Sequence, residues 1–156
     1  METIKIIIKS NAIVKKNGAK TSLFYKDKKS GRLRERDRPV HYYTDVYKDW
    51  AKDAIKSCVD FKTTHPELTF PLTDRFNLKC LFYLDRNTVV DLSALYEGVQ
   101  DVLAGNAGVW KEQIPKSLYQ IIEDDSIRFI GSHDGSRVVL DYVSPRTEIY
   151  LEEFKL

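Results

Sequence analysis

Three acidic positions stand out by where they fall along the chain. Asp91 opens an apolar-periodic stretch just beyond a buried-looking strand, and Asp101 follows ten residues on. Asp124 and Asp125 form a pair directly ahead of another apolar run. Carboxylates at strand and helix ends converge when those elements pack together. Their hard oxygens suit Mg2+, which takes few carboxylates, keeps water and leaves room for a phosphate. A metal held this way activates water and steadies the charge on a phosphodiester under in-line attack. Plainer uses exist for the same residues. An aspartate at a helix start caps the helix or complements its dipole, and an Asp-Asp pair ahead of a strand is commonly a turn. The chain contains no P-loop, HExxH or comparably specific motif.

Positive charge is the second feature. Between Lys26 and Arg38 the chain carries Lys26, Lys28, Lys29, Arg32, Arg34, Arg36 and Arg38 against Asp27, Glu35 and Asp37. A solvated loop is one reading of such a run. The other is an arm that grips phosphates, because clustered Lys and Arg release counterions on binding. Other candidates weigh less. His133 and Asp134 sit among turn formers, within sequence reach of Asp125. His41 and His65 are remote from each other and from any Cys, so no zinc site is argued. Trp50 belongs to a core stripe, Trp110 suits internal packing, the favoured reading, or stacking on an exposed base, and Glu152-Glu153 ends a strand in solvent.

The elements that must position these residues follow from periodicity. Thr3 to Lys9 is β-branched and reads as a first strand. Ser10 to Val40 is polar, basic and Gly-punctuated, so about 10–40 is expected to be a flexible basic loop or hairpin, with strand character only at Thr21 to Tyr25 and Pro39 ending the irregular region. From Val46, apolar pairs at Tyr47, Trp50/Ala51, Ala54/Ile55 and Cys58/Val59 make one stripe of a helix. After a connector over Thr63 to Pro71, Phe76 to Leu84 reads as a central strand. A second helix is expected over Asp91 to Leu103, with Leu92, Leu95, Tyr96, Val99, Val102 and Leu103 facing the core. Asp91, Ala94, Gly98 and Asp101 cluster on its other side, and Gly105 stops it. Lys111 to Ile122 fits a short extra helix near Pro115. Ser126 to Ile130, Arg137 to Asp141 and Glu148 to Phe154 read as strands, the first two joined as a hairpin over Gly131 to Ser136. The expected fold is α+β: a mixed β-sheet of about four to five strands with two main helices on one face, in a single domain over 1–156.

The run DLSALYEGVQDVL from Asp91 to Leu103, then Ala-Gly-Val-Trp and Asp124-Asp125-Ser-Ile, resembles the central block of the RusA-like Holliday junction resolvases. That block reads Asp-x-Asp-Asn-Leu-x-Lys, then Asp-x-Leu, then Asp-Asp-x-x-Val or Ile. The likeness is best over Asp91 to Ile127, with Lys15-Lys16-Asn17 resembling the family's early Pro/Lys/Asn-rich stretch. It implies a metal-dependent, structure-selective endonuclease that cleaves branched DNA as a homodimer. On this resemblance Asp91 and Asp125 are metal ligands and Asp101 is the helix aspartate of the site. Mg2+ is the expected cofactor, with Mn2+ as a substitute. Lys15, Lys16, Arg32, Arg34, Arg36 and Arg38 would hold the DNA backbone. The chain departs from the pattern at Ser93, Ala94 and Glu97, where the family has Asp, Asn and Lys. Either Glu97 has joined a rebuilt metal shell, or the chain binds DNA without cutting it. The resemblance places it in a bacterial or phage-infected cell.

Bulk composition agrees with a folded domain. Over 156 residues the chain is 42% hydrophobic and 12% aromatic, and its 25 basic and 23 acidic residues nearly cancel to +2. A chain of this length buries a core without disulfide or zinc staples. Cys58 and Cys80 form no CxxC pair and read as buried hydrophobes of a reducing compartment. No apolar run approaches a membrane span and no secretory h-region opens the chain. The expected location is therefore the cytoplasm, away from membranes.

Overall fold

The computed structural model describes residues 3–14, 19–87, 91–108 and 114–155, and only the backbone at 19–22 and 36–43. The architecture is α+β, as the sequence predicts. The element order is β1 (Ile4–Ile8), β2 (Ala19–Lys26), β3 (Leu33–Tyr43), α1 (Asp45–Thr64), β4 (Phe76–Leu84), α2 (Leu92–Leu103), α3 (Lys116–Tyr119), β5 (Ile130–Ser132), β6 (Arg137–Leu140) and β7 (Arg146–Glu153). The main sheet runs β1-β7-β4-β5, with β6 also on β4, and β2 pairs β3 in a separate ribbon.

Alternation along the strands decides which face is buried. The register aligns Ile4, Leu151 and Leu78 in one row, Ile6, Ile149 and Cys80 in the next, and Ile8, Thr147 and Phe82 in a third. All nine are buried, and α1 and α2 cover this face with Tyr47, Trp50, Leu95, Tyr96 and Val99. The residues between these rows face the other way. There Lys5 and Lys79 each lie 5.1 Å from the Tyr150 ring, and the Tyr150 hydroxyl donates to Glu148 at 2.6 Å. Arg146 and Lys5 also pair with Glu148. The Tyr150 hydroxyl bond, with help from both cations, holds the Glu148 carboxyl down to about 2.

Both long helices begin where the sequence indicates. The Thr44 hydroxyl caps α1 by accepting the Tyr47 N–H at 3.4 Å. Gly98 departs from expectation. Helical periodicity puts it with Asp91 on the far side of α2, but it is buried, and an added Cβ would meet the Trp50 ring at 3.1 Å. Helix α2 is thus buried on two sides, by the sheet and by α1, and the small side at Ala94 and Gly98 lets α1 approach.

Three further expectations are corrected. The stretch 10–40 is not a loop throughout. β2 and β3 form an antiparallel ribbon with a register shift between Ser22 and Phe24, and Pro39 lies inside β3 rather than ending an irregular region. Ser126 to Ile130 is not a strand. Phe129 and Ile130 both return N–H bonds to the Ser126 carbonyl at 2.9 Å, and β5 starts only at Ile130. Finally, β5 and β6 are not a hairpin, because both pair parallel with β4 as two halves of one interrupted edge strand. Side chains stitch the break. Asn77 Oδ1 accepts the Ser132 hydroxyl and the Asp134 N–H, each at 2.7 Å, and Ser136 Oγ accepts the Cys80 N–H at 2.9 Å.

Candidate functional site

Asp91 stands at the N-terminus of α2 as its N-cap residue. Its carbonyl accepts the first helical N–H bonds, from Ala94 at 3.0 Å and Leu95 at 3.3 Å. Its carboxylate is exposed and makes no capping bond, although a negative charge there complements the helix dipole. The capping role suggested by its position is therefore not one that the side chain performs.

Asp125 belongs to the opposite end of the same helix. Ile121 and Ile122 donate N–H bonds to the Leu103 carbonyl at 2.8 and 3.1 Å, and Glu123 donates to the Leu72 carbonyl at 3.1 Å. These bonds pin the approach to Asp124-Asp125 against the C-terminus of α2. Asp101, in the last turn of that helix, is near enough that its charge acts on Asp125. Burial is the main reason that the Asp125 carboxyl is raised above the usual range, with Asp124 and then Asp101 adding to it. Asp124 is lowered, chiefly by the Asp125 N–H it accepts at 2.8 Å and with help from the charge of Lys116. Helix C-termini repel negative charge, so the fold holds Asp125 where neither burial nor the dipole favours ionisation.

The sequence expectation placed Asp91, Asp125 and Glu97 around one ion. Within one chain the structure does not bring them together. Ten residues of α-helix separate Asp91 from Asp101 by about 15 Å, and it is Asp101 whose charge acts on Asp125. Glu97 is exposed and lies about 240° around the helix from Asp91 at ~100° per residue. Among the described residues no group of three or more His, Cys, Asp or Glu is arranged to hold a metal. The spacing rule missed this because strand and helix ends come in two kinds, and the two aspartates lie at opposite ends of the sheet.

His133 does not sit exposed in a turn. Its ring lies tilted by 35° against Tyr96 with centroids 4.4 Å apart, and its Nε2 lies 3.1 Å from the Gln100 amide. Half-buried in the β5–β6 break, it has its pKa lowered by that burial. Glu152, read as a solvated strand end, accepts from Asn77 at 3.0 Å and pairs with Lys79 at 3.2 Å.

The basic residues gather on the β2–β3 ribbon, which packs mainly on itself. Asp27 organises its tip. Its carboxylate accepts the Lys29 N–H at 2.8 Å and pairs with Arg34 at 3.1 Å, and its carbonyl takes the N–H of Gly31, whose φ of +67° suits glycine. Around this turn Lys26, Lys28, Lys29, Arg32 and Arg34 are exposed. Arg36 and Arg38 lie in β3 by their backbone alone, while Lys15, Lys16 and Trp110 fall outside the described residues. Sequence reasoning passed over Phe24, Tyr25 and Leu33, which are 54%, 39% and 76% exposed on the same ribbon. The signal for their exposure was their interleaving with Lys and Arg along the same stretch. A groove of about 630 Å3 bordered by Lys5, Phe61, His65, Leu68 and Asp74 includes none of the expected site residues.

No protein-family model matches the chain, and no curated protein or solved structure is detectably similar to it.

Proposed function

We propose that this protein is a RusA-like, structure-selective endonuclease that uses Mg2+ or Mn2+ to nick four-way junctions or related branched DNA. The observation that carries the DNA-binding part is the projecting β2–β3 ribbon with five exposed cations between Lys26 and Arg34. A two-stranded ribbon fits a DNA groove, and its cations meet phosphates without reading sequence. The nuclease part rests on the acidic run beginning at Asp91 and on Asp125, whose raised carboxyl a divalent cation would return to the ionised state. In this reading a homodimer places two equal sites across a two-fold substrate, in the cytoplasm of a bacterial or phage-infected cell. No helix among the described residues is long and apolar enough to cross a membrane.

The rise of about 15 Å along α2 from Asp91 to Asp101, the end whose charge acts on Asp125, argues against one ion shared by both carboxylates of one copy. It also favours a second reading, a protein that keeps the fold and binds branched DNA without cutting it. One experiment separates the two. A labelled four-way junction is incubated with the protein in Mg2+, in Mn2+ and in chelator, and binding and nicking are measured together. Metal-dependent nicking that Asp91→Asn or Asp125→Asn abolishes while binding persists supports the endonuclease, and the more damaging variant marks the end of α2 where the ion sits. Tight binding with no nicking in either metal selects the second reading. Absence of binding removes both.

A further inference from the structure

The main sheet has two open edges, and they are built differently. Along β1, the groove beside the strand is lined by Lys9, Asp53, Lys56 and Asp60, the charged guard that discourages strand pairing. Along β6 the guard is missing. Val138 and Leu140 are 41% and 45% exposed, and the following Tyr142 and Val143 are 69% and 93% exposed. Charge appears only at the strand's two ends, as Arg137 and Asp141.

The backbone of β6 is also set for a partner. Asp141 donates its N–H to the Leu84 carbonyl at 2.9 Å, toward β4. Successive residues of a strand point their N–H and C=O to alternate sides, so those of Val138 and Leu140 point away from β4, to the open edge. The register of Val138 with Phe82 and of Leu140 with Leu84 puts both side chains on the helix-covered face. Arg137, Val139 and Asp141 share the other face.

We infer that β6 is a self-complementary edge through which two copies of this chain pair, antiparallel, about a two-fold axis at Val139. In that register Val138 of each copy exchanges both backbone hydrogen bonds with Leu140 of the other. Their apolar side chains meet on the helix side. Val139 faces its own counterpart, and Arg137 of each copy faces Asp141 of the other. Shifting the axis by one residue either way breaks the match. Centred on Val138, Arg137 opposes a valine; centred on Leu140, Asp141 opposes a valine. Asp141 is fixed for the role, since Oδ1 accepts the Val143 and Ser144 N–H groups at 3.1 and 3.0 Å and Oδ2 accepts from Arg146 at 2.9 Å. A carboxylate has lone pairs left for a second guanidinium. This pairing would supply the dimer used by the proposed function, but it rests on β6 alone and is tested without DNA.

The test is sedimentation of the whole protein together with disulfide trapping. Wild type should sediment as a dimer, and Arg137→Glu and Leu140→Lys should each sediment as monomers. Both positions are exposed, and a thermal melt checks that the variants remain folded. Under mild oxidation Val139→Cys should cross-link two chains, because facing residues of a non-hydrogen-bonded antiparallel pair have Cα atoms about 4.5 Å apart, within disulfide range. Val138→Cys should cross-link at least tenfold less, since its opposite is Leu140. Background is low because Cys58 and Cys80 are buried. A monomeric wild type, folded variants that stay dimeric, or equal cross-linking at 138 and 139 would each overturn the proposal. Loss of junction cleavage would leave it standing.

Discussion

Removing the cations at the ribbon tip tests the DNA-binding reading most directly. Of the exposed basic residues there, Arg34 is already paired with Asp27, so its deletion would also unmask an acid. Lys28, Lys29 and Arg32 have no ion pair among the described residues and are the better choice. Each phosphate contact contributes a slope of about −0.9 in log affinity against log salt. Lys28→Ala, Lys29→Ala and Arg32→Ala together should therefore flatten the slope on duplex arms by about 2.7 if all three touch phosphate. Between 50 and 200 mM salt, where log salt changes by about 0.6, wild type should lose about 1.6 log units of affinity more than the triple variant. The assay is binding of a labelled four-way junction across a salt series, with a thermal melt as control. The ribbon packs mainly on itself, so the melting temperature should not change. Parallel salt curves of equal affinity would show the ribbon to be a solvated hairpin and sink the reasoning.

Other consequences concern the fold and its titration. Gly98→Val should overpack the α1–α2 contact beneath Trp50 and cost about 1–3 kcal/mol; an unchanged or higher melting temperature would contradict the close approach. Glu148, buried and held down to about 2, should contribute stability that is fully present above the unfolded carboxyl value. That stability is lost as pH falls toward about 2, so denaturant titrations of Glu148→Gln should show a flatter acid limb than wild type. Asp125 carries the opposite sign. Its carboxyl is raised in the fold, so the folded state keeps the proton longer, and stability declines as pH climbs from the ordinary carboxylate value through the raised one. Asp125→Asn should remove that decline and be more stable than wild type at neutral pH. A variant less stable there would show that the carboxylate makes contacts that outweigh its burial.

Local pattern alone determined much of this protein. The pairing of Tyr47 with Trp50, Ala51, Ala54, Ile55 and Cys58 could make only a helix with one buried stripe. The β-branched and apolar runs at Ile4–Ile8 and Phe76–Leu84 could pack only as strands, so α+β followed from period and length. Period does not reveal which strands become neighbours. The turn formers around Gly135 suggested a hairpin, but β4 offered both β5 and β6 a parallel ladder, and Asn77 and Ser136 satisfied the polar groups left in the gap. The ribbon was half legible, because Thr21 to Tyr25 showed strand character while the charges of β3 hid the partner that the backbone hydrogen bonds secure. The acidic positions were legible as residues but not as a site. Asp91 ended up at the tip of α2, as its position indicated, whereas Asp125 lies in an irregular stretch ahead of β5. Which acids come near one another is set by the tertiary bonds that pin 121–123 to the C-terminus of α2 and to Leu72, so that the charge of Asp101 acts on Asp125 while Asp91 stands about 15 Å from Asp101 at the other end of the helix.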